Sequence, residues 1–304
     1  MTVSNGLAAW HKQGKMTKFR GHRIFYQDSV AGEEVILLIH GFPTAGWDWH
    51  YVWQALKNDY RLISIDMLGF GFSDKPADFQ FSIHAQADLI ESVLTELRIQ
   101  EAHILAHDYG DTVAQELAAR HLDSESERLQ ILTMTLLNGG LFPEQHRARM
   151  IQKLLVSPVG PLLSKFASRR TFEKNLNAVF GEHTKLDSSE VNDLWHLFSR
   201  NDGHRKSHIM LHYIADRRKH RERWVGALQK LDVPLLLIDG TADPVSGGHM
   251  ADHYESLIPQ PNVVRLNGIG HYPQLEAPRA VLEHFISFIG STKNILTRQL
   301  NEPS

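Results

Sequence analysis

The sequence predicts an α/β protein with a doubly wound, mostly parallel sheet and an inserted helical cap. Short apolar runs alternate with longer amphipathic stretches, which is typical of a sheet covered by helices. Continuous runs such as "VILLI" and "PLLLI" suit strands that are buried on both faces. One long stretch, residues 141–226, is rich in helix formers and charge but lacks convincing strands. At 304 residues, the chain is long enough to bury a large core.

The individual elements follow from periodicity and turn residues. The segment KFRGHRIFYQDS has the alternation and the turn glycine of an antiparallel hairpin. Further strands are predicted at residues 35–39, 61–66, 102–106, 132–137, 233–238 and 263–266. The chain is therefore expected to divide into a first core segment at 1–140, a helical cap at 141–226 and a second core segment at 227–304.

Composition excludes several classes of function. With 42% hydrophobic residues, 22% charged residues and a net charge of −3, nothing favours a nucleic acid or an anionic surface as the overall partner. The absence of cysteine excludes disulfides and thiolate metal sites. The N-terminal stretch lacks the apolar region of a secretory signal, and no apolar run reaches the ~20 residues of a membrane span. We expect a cytoplasmic protein, without a cofactor because no cofactor motif is present.

Three chemically competent residues follow predicted strands, where open α/β sheets place their ligands. Asp108 lies in "LAHDYGD", where small neighbours allow the sharp turn of a nucleophile elbow. Asp243 lies in "DGTADPV" and His271 in "GIGHYPQ". Singly, an aspartate before a helix is also a favoured N-cap. The order nucleophile, acid, histidine, together with the absence of a Gly-x-Ser-x-Gly elbow, favours a catalytic triad.

The nature of the nucleophile predicts the reaction. A carboxylate is a poor nucleophile toward a carbonyl, but it can displace a leaving group from saturated carbon and form an ester on Asp108. His271, oriented by Asp243, would then deprotonate the water that hydrolyses this ester. The turn "HGFP" is expected to aim the backbone N–H of Phe42 at the same point as that of Tyr109, which makes an oxyanion hole. The expected partners are a small apolar or weakly polar organic substrate and water.

Several stretches carry a family resemblance. The sequence resembles the epoxide hydrolase and haloalkane dehalogenase branch of the α/β-hydrolase superfamily, and within it is similar to the mesoderm-specific transcript protein group. The matching stretches are HGFPTAGWDW, DMLGFGFSDKP, HDYGDTVAQEL, NGGLFPE, RRKHRERWVGAL and HYPQLEAP. The resemblance implies the α/β-hydrolase fold, with Asp108 as nucleophile, His271 as base, Asp243 as charge-relay acid, and Phe42 and Tyr109 forming the oxyanion hole.

The resemblance leaves the leaving group open. Haloalkane dehalogenases usually bind the halide through the side-chain N–H groups of an asparagine and a tryptophan. The corresponding positions here hold Phe42 and Tyr109, which have no side-chain N–H. Trp195 of the cap is the expected substitute. Epoxide hydrolases protonate the alkoxide with two cap tyrosines, whereas this cap has one, Tyr213, with a cap histidine as the other candidate donor. Epoxide hydrolysis to a diol is the first hypothesis and dehalogenation the second. A non-catalytic ligand binder on a hydrolase scaffold is a third, since fold does not fix function.

Other residues are assigned from position alone. The expected substrate-binding walls include Trp47, Phe142, Trp195 and Tyr213. Glu144 is an alternative charge-relay acid, because it closely follows a predicted strand.

Two further patterns suggest surface helices of the cap. His204, His208 and His212 are four residues apart and are predicted to line one helix face, but no other ligand accompanies them, so no metal site is expected. The basic run "RRKHRER" at 217–223 lacks aromatic interleaving and predicts a solvated helix, with Trp224 turned inward.

Overall fold

The computed structural model describes residues 3–123 and 129–301, with side chains described up to residue 292. Eight strands form one sheet in the order β1-β2-β4-β3-β5-β6-β7-β8. Strand β2 pairs antiparallel with both of its neighbours, β1 and β4. From β4 to β8 in this order, every pair of neighbouring strands is parallel. The strands are β1 Lys15–Phe19, β2 His22–Asp28, β3 Val35–Ile39, β4 Arg61–Ile65, β5 Glu101–His107, β6 Gln130–Leu137, β7 Leu235–Gly240 and β8 Val263–Leu266.

Helices cover both faces of the sheet. Two short 3₁₀ helices lie at Gly46–Trp49 and Arg200–Lys206. The α-helices are α1 Asn5–Gln13, α2 His50–Leu56, α3 Ile83–Glu96, α4 Tyr109–Leu122, α5 Met150–Leu155, α6 Gly160–Ser164, α7 Arg169–Asn177, α8 Ser188–Ser199, α9 Ser207–Met210, α10 Tyr213–Lys219, α11 Arg221–Lys230, α12 Gly248–Leu257, α13 Pro273–Glu276 and α14 Pro278–Asn301.

The central strands are apolar because both of their faces are covered. All five residues of β3 are buried. Leu37 and Ile39 belong to the core on one side of the sheet, whereas Ile36 and Leu38 belong to the core on the other. This alternation follows from the two-residue period of a strand, and it explains why "VILLI" shows no polar face. The predicted α/β class and the predicted strands are confirmed.

The stretch between β6 and β7 carries the predicted cap helices. Its described residues form the helices α5 to α11 and one 3₁₀ helix, with no strand. The last of these helices, α11, packs against α4 of the core. Nowhere in the described residues is a helix long and apolar enough to cross a bilayer.

One element at the N-terminus was not expected from the sequence. Helix α1 begins after Ser4, whose hydroxyl accepts a hydrogen bond from the backbone N–H of Leu7 at 3.0 Å, as an N-cap does. Its Trp10 packs edge-on against Trp47 and Trp53. The helix therefore adds to the core beside α2, and its N-cap also bonds to the cap, because Ser4 N–H donates to Asp193 Oδ1 of α8 at 2.8 Å.

Candidate active site

Asp108 lies at a sharp turn between β5 and α4. Its φ angle of 48° is in the left-handed region that non-glycine residues rarely adopt. The turn also brings the chain close to β3, because a Cβ at position 110 would lie 2.4 Å from the carbonyl oxygen of Ile39. Only glycine fits there, and this agrees with the small residue expected after the nucleophile. Strained backbone of this kind is often found at functional sites.

The carboxylate of Asp108 accepts a hydrogen bond from the loop that follows β3. The backbone N–H of Phe42 donates to Asp108 Oδ2 at 3.1 Å. Tyr109 is the first residue of α4, so its N–H belongs to the N-terminal donors that have no partner within the helix. His40 fixes the loop: its Nδ1–H donates to Gly41 O at 2.8 Å, and its Nε2 accepts from Met67 N–H at 3.1 Å. Of the two expected oxyanion donors, Phe42 N–H therefore contacts the Asp108 carboxylate, and Tyr109 N–H follows the same residue at the start of α4.

A second carboxylate orients His271. The ring Nδ1 of His271 donates to Asp243 Oδ2 at 2.7 Å. Asp243 is fully buried and accepts further hydrogen bonds from Val245 N–H at 2.8 Å and from Asn138 Nδ2 at 3.2 Å. These bonds, together with the charge of His271, keep the pKa of Asp243 below its ordinary value although burial opposes this. Asp243 is therefore an anion that fixes the orientation of the imidazole.

The other ring nitrogen of His271 faces the elbow. Its Nε2 lies 4.0 Å from Asp108 Oδ2, and both side chains are 8% exposed. Burial alone would lower the pKa of His271, but the charges of Asp243 and Asp108 raise it to about 9. Burial would raise the pKa of Asp108, but His271 and Arg217 keep it below the ordinary value. The resting site thus contains two carboxylates and one imidazolium at neutral pH.

His107 forms a hydrogen bond with the backbone of His271. Its Nε2 contacts the carbonyl oxygen of His271 at 2.7 Å, so this nitrogen carries the proton and donates. Burial and the neighbouring His271 lower the pKa of His107 to about 3, and the ring stays neutral. His107 therefore fixes the loop that carries the base and adds no charge to the site.

Arg217 lies at the candidate active site, although its sequence context predicted a solvated helix. The run "RRKHRER" was expected to be solvated, but Arg217 is 2% exposed. Its Nη2 donates to the carbonyl oxygen of Asp108 at 3.1 Å and lies 3.7 Å from Asp108 Oδ1, while its Nε donates to Thr112 Oγ1 at 2.7 Å. Trp224 is buried as expected. A usable signal was the four-residue spacing from Tyr213, because such residues share a helix face.

A cavity of about 330 Å³ reaches the carboxylate. Asp108, His271, Phe42 and Tyr272 are among the residues that line it. The hydroxyl of Tyr272 donates to the carbonyl oxygen of Phe42 at 3.3 Å, a contact that the sequence analysis did not anticipate. The remaining walls are mostly apolar and come from the cap, including Ile151, Leu155, Leu163, Phe166, Phe172, Leu176, Phe198 and Leu211. This is the size and polarity of a site for a small organic molecule.

The four residues predicted as substrate walls do not line this cavity. Trp47 stacks on His50 and belongs to the core beneath α2. Phe142 is fully buried and packs edge-on against His253. Trp195 packs between aromatic side chains of the cap, 5.6 Å from Phe172. Large aromatic residues bury more area in a core than in a cavity wall, and position alone did not separate the two environments.

Tyr213 differs from the other three because it lies beside the elbow. Its ring packs edge-on against Tyr109 at 4.7 Å and lies 6.4 Å from the ring of Phe42. The guanidinium of Arg217 lies over the same ring at 4.6 Å. Burial, with the nearby charge of Asp108, raises the pKa of the Tyr213 hydroxyl, so that it keeps its proton at neutral pH.

Two other expectations are corrected by the placement of the residues. Glu144 binds Arg221 and His253, and the Arg221 interaction lowers its pKa to about 2, whereas the hydrogen bond to His271 Nδ1 comes from Asp243. His204, His208 and His212 do not share a helix face: one lies in the 3₁₀ helix, one in α9 and one just before α10. Within residues 3–123 and 129–292, no group of three or more metal-binding side chains is present.

Comparison with known proteins agrees with this architecture. A family model for the alpha/beta hydrolase fold matches residues 34–278. The mesoderm-specific transcript protein of Mus musculus is 42% identical, with 95% of this chain and 89% of that protein covered. A protein of Mycobacterium tuberculosis named LipZ is 33% identical, with 94% and 99% covered.

Solved structures share the fold at lower identity. A loop variant of the haloalkane dehalogenase DbeA from Bradyrhizobium elkanii superposes with a TM-score of 0.79 at 19% identity, covering 94% of this chain and 99% of that one. The epoxide hydrolase CorEH superposes with a TM-score of 0.75 at 17% identity, covering 91% and 98%. At these identities the likeness concerns the fold alone. From the matched family model and the close relatives, the chain belongs to the α/β-hydrolase family, as a relative of the mesoderm-specific transcript proteins.

Proposed function

We propose that this protein hydrolyses epoxides to diols through an ester formed on Asp108. The observation that carries the proposal is the carboxylate at the elbow, which has Phe42 N–H on Oδ2 and His271 Nε2 at 4.0 Å from the same oxygen. In the first step, Asp108 Oδ1, the oxygen that Phe42 N–H does not contact, attacks a ring carbon of the epoxide. The carbon–oxygen bond of the ring breaks, its electron pair goes to oxygen, and the resulting alkoxide takes up a proton.

The second step hydrolyses the ester. Forming the ester removes the negative charge of Asp108, which together with the charges of Asp243 and Glu276 raises the pKa of His271 to about 9. His271 therefore loses its proton more readily, and the neutral ring can accept a proton from water that attacks the Asp108 carbonyl carbon. The oxyanion forms on Oδ2, which Phe42 N–H already contacts.

Protons balance over the cycle. Ester formation transfers one proton to the alkoxide from Tyr213, the donor that we propose, and the proton that His271 loses as its pKa falls returns Tyr213 to its neutral form. Hydrolysis of the ester to a carboxylate and an alcohol releases one proton, and His271 regains it when the charge of Asp108 returns. The site thus starts and ends with two carboxylates and one imidazolium, and no cofactor takes part in this scheme.

Tyr213 is the donor that we propose for the alkoxide. Its hydroxyl is protonated at neutral pH, and its ring lies beside both Tyr109 and Phe42. Because Tyr213 lies outside the cavity lining, donation requires a movement of α10 or of Phe42 when substrate binds. Among the cap histidines, His208 contacts Ser164 of the cavity at 3.0 Å, but burial lowers its pKa, which makes it a poorer proton source at neutral pH.

Carbon–halogen hydrolysis has less support from the same geometry. A departing halide needs N–H donors in the cavity; no tryptophan is among the residues that line it, and the side-chain N–H groups of its cap walls belong to Arg149, Gln152 and Asn175 instead. Trp195, the expected substitute, instead packs against Phe172 and His204. Epoxide opening needs a protonated hydroxyl near the carboxylate. Tyr213 fits this role better than Trp195 fits the role of a halide-binding residue.

Turnover of a substrate panel tests the proposal. Aryl and alkyl epoxides, haloalkanes and nitrophenyl esters are incubated with the wild-type protein and with Asp108→Ala, and products are identified by mass spectrometry. We expect diols from epoxides with the wild type and none with the variant. Halide release without diol formation would favour the dehalogenase. Ligand-induced melting shifts without any product would favour the non-catalytic binder.

A further inference from the structure

The outer surface of the first cap helices is unusually apolar. Among the residues whose side chains the structure describes, ten large apolar side chains are exposed, and six of them lie between residues 150 and 166. Phe166 and Met150 are the most exposed of these ten, at 72% and 71%. The other four, Met16, Val30, Tyr51 and Ile286, are scattered along the chain. Single exposed apolar residues are ordinary, but a concentration of this kind marks an interaction surface.

The same helices are apolar on their inner side as well. Ile151, Leu155 and Leu163 line the active-site cavity. Helix α5 has no buried residue, although four of its six residues are apolar. A helix that is apolar all round is normally covered on all sides. The exposed side of residues 150–166 is therefore apolar enough to pack against a partner, but no described part of the chain covers it.

Basic residues flank the exposed apolar residues in the sequence. Five exposed cations lie in the flanking sequence: Arg147, Lys153, Lys165, Arg170 and Lys174. None of them forms a salt bridge with any described residue. The one acidic residue among them, Glu173, is bound to Arg169 at 2.8 Å. This surface is therefore positive although the whole chain has a net charge of −3.

We propose that this surface binds the face of a bilayer that contains anionic lipids. We call it the cap face and define it by its apolar and basic residues: Met150, Leu154, Val156, Val159, Leu162 and Phe166, with the five exposed cations. The apolar side chains enter the boundary between headgroups and acyl chains, while the cations contact anionic headgroups. A second copy of the chain fits less well, because a two-fold interface would place the cations of both copies against one another.

Docking in this way also defines how substrate reaches the site, a point that rests on the proposed function. Phe166 both lines the cavity and is 72% exposed, so the cavity reaches the surface at the cap face. A substrate dissolved in the bilayer could then pass along the apolar wall to Asp108 without crossing bulk water. The substrate class that we infer is a lipid-soluble epoxide, such as one carried on an acyl chain.

Vesicle flotation tests the proposal. The full chain is mixed with vesicles of phosphatidylcholine alone or of phosphatidylcholine with phosphatidylserine. We expect flotation with the mixed vesicles and its loss in high salt. The double variants Leu162→Ser/Phe166→Ser and Lys165→Glu/Arg170→Glu should each weaken binding by about tenfold or more. The control, Met16→Ser/Val30→Ser, removes two apolar side chains that are 48% and 65% exposed elsewhere, against 58% and 72% for Leu162 and Phe166, and should bind like the wild type.

Other results would overturn the inference. Vesicle binding that does not depend on phosphatidylserine, or that both cap-face double variants retain, would exclude the cap face as the membrane contact. A dimer that Leu162→Ser/Phe166→Ser dissociates, in a protein that binds no vesicles, would assign the surface to self-association. Asp108→Ala should float like the wild type, so failure of the proposed reaction and failure of membrane docking give different results.

Discussion

The guanidinium of Arg217 lies 3.7 Å from Oδ1 of Asp108 and donates a hydrogen bond to the backbone carbonyl of the same residue at 3.1 Å. One cap side chain thus contacts both the side chain and the strained backbone of the elbow. The contact supplies a positive charge that does not depend on the protonation of His271, and it links the cap to the carboxylate that reacts. We infer that Arg217 positions Asp108 and keeps it ionised.

Replacing Arg217 with methionine should lower both stability and activity. Loss of the guanidinium leaves a buried carboxylate with less compensation, which typically costs about 3–5 kcal/mol. The pKa of Asp108 should rise, so the acidic limb of the kcat/KM profile should move to higher pH. Denaturant unfolding and pH–rate profiles measure the two effects. Arg218→Met, an exposed neighbour, is the matched control, and Arg217→Lys should retain part of both properties.

If the acidic limb of Arg217→Met stays in place while only stability falls, Arg217 supports the fold without affecting ionisation of the nucleophile. That outcome would contradict the positioning role inferred here.

Gly140, which lies against the guanidinium of Arg217, offers an independent test of the positioning role. A Cβ at Gly140 would lie 2.1 Å from Nη1 of Arg217, so Gly140→Ala must displace the guanidinium. We expect Gly140→Ala to reproduce the shift of the acidic limb seen with Arg217→Met. Gly226→Ala is the contrasting variant, because nothing lies within 4 Å of its added methyl group and the position is inside α11. It should stabilise the protein by about 0.5–1 kcal/mol without changing the pH profile.

Removing the hydroxyl of Tyr213 should slow ester formation alone. General acid catalysis typically contributes about 10²–10⁴-fold, so Tyr213→Phe should reduce the rate of epoxide opening by about 10²-fold or more. Rapid-quench kinetics separate this step from ester hydrolysis, which should be unchanged. Tyr254→Phe removes another buried hydroxyl, in α12, and should have no effect on either step. Equal rates for Tyr213→Phe and the wild type would assign the proton donor elsewhere.

The charges of the triad predict how stability depends on pH. The pKa of His271 is raised from 6.5 to about 9, so its contribution is complete below pH 6.5 and is lost as pH rises through about 9. The pKa values of Asp108 and Asp243 lie below 3.8, so their contribution is present above pH 3.8 and is lost as pH falls. The triad therefore stabilises most between about pH 4 and pH 6.5.

Thermal melts of the wild type and Asp243→Asn measure this contribution. The difference in Tm should be largest near pH 6 and smaller near pH 10, because His271 is then neutral in the wild type as well. A difference that grows with pH would mean that the imidazolium is not stabilised by the two carboxylates.

The sequence predicted those parts of the molecule that local patterns determine. Buried strands read as continuous apolar runs, and Asp108, Asp243 and His271 each follow one of them. The structure brings these three together because the carboxyl ends of parallel strands share one edge of the sheet.

The parts that were missed depend on contacts between distant segments. Arg217 reads as one member of a basic run, and only the approach of α10 to the elbow distinguishes it from exposed Arg218. Trp47 and Phe142 were placed near the site by sequence proximity, but packing directed them into the core. Most of the cavity walls come from residues 149–211, where some apolar residues line the cavity and others are exposed, and the sequence alone did not separate the two groups.

The most direct test of the central claim is to trap the ester on Asp108. His271→Ala lacks the base that we propose for ester hydrolysis, so incubation with an epoxide that the wild type converts should increase the mass of the intact protein by one substrate molecule. Digestion should place the added mass on the peptide that contains Asp108, and His271→Ala/Asp108→Asn should remain unmodified. An unmodified His271→Ala protein, with a substrate that the wild type hydrolyses, would contradict the aspartyl-ester mechanism.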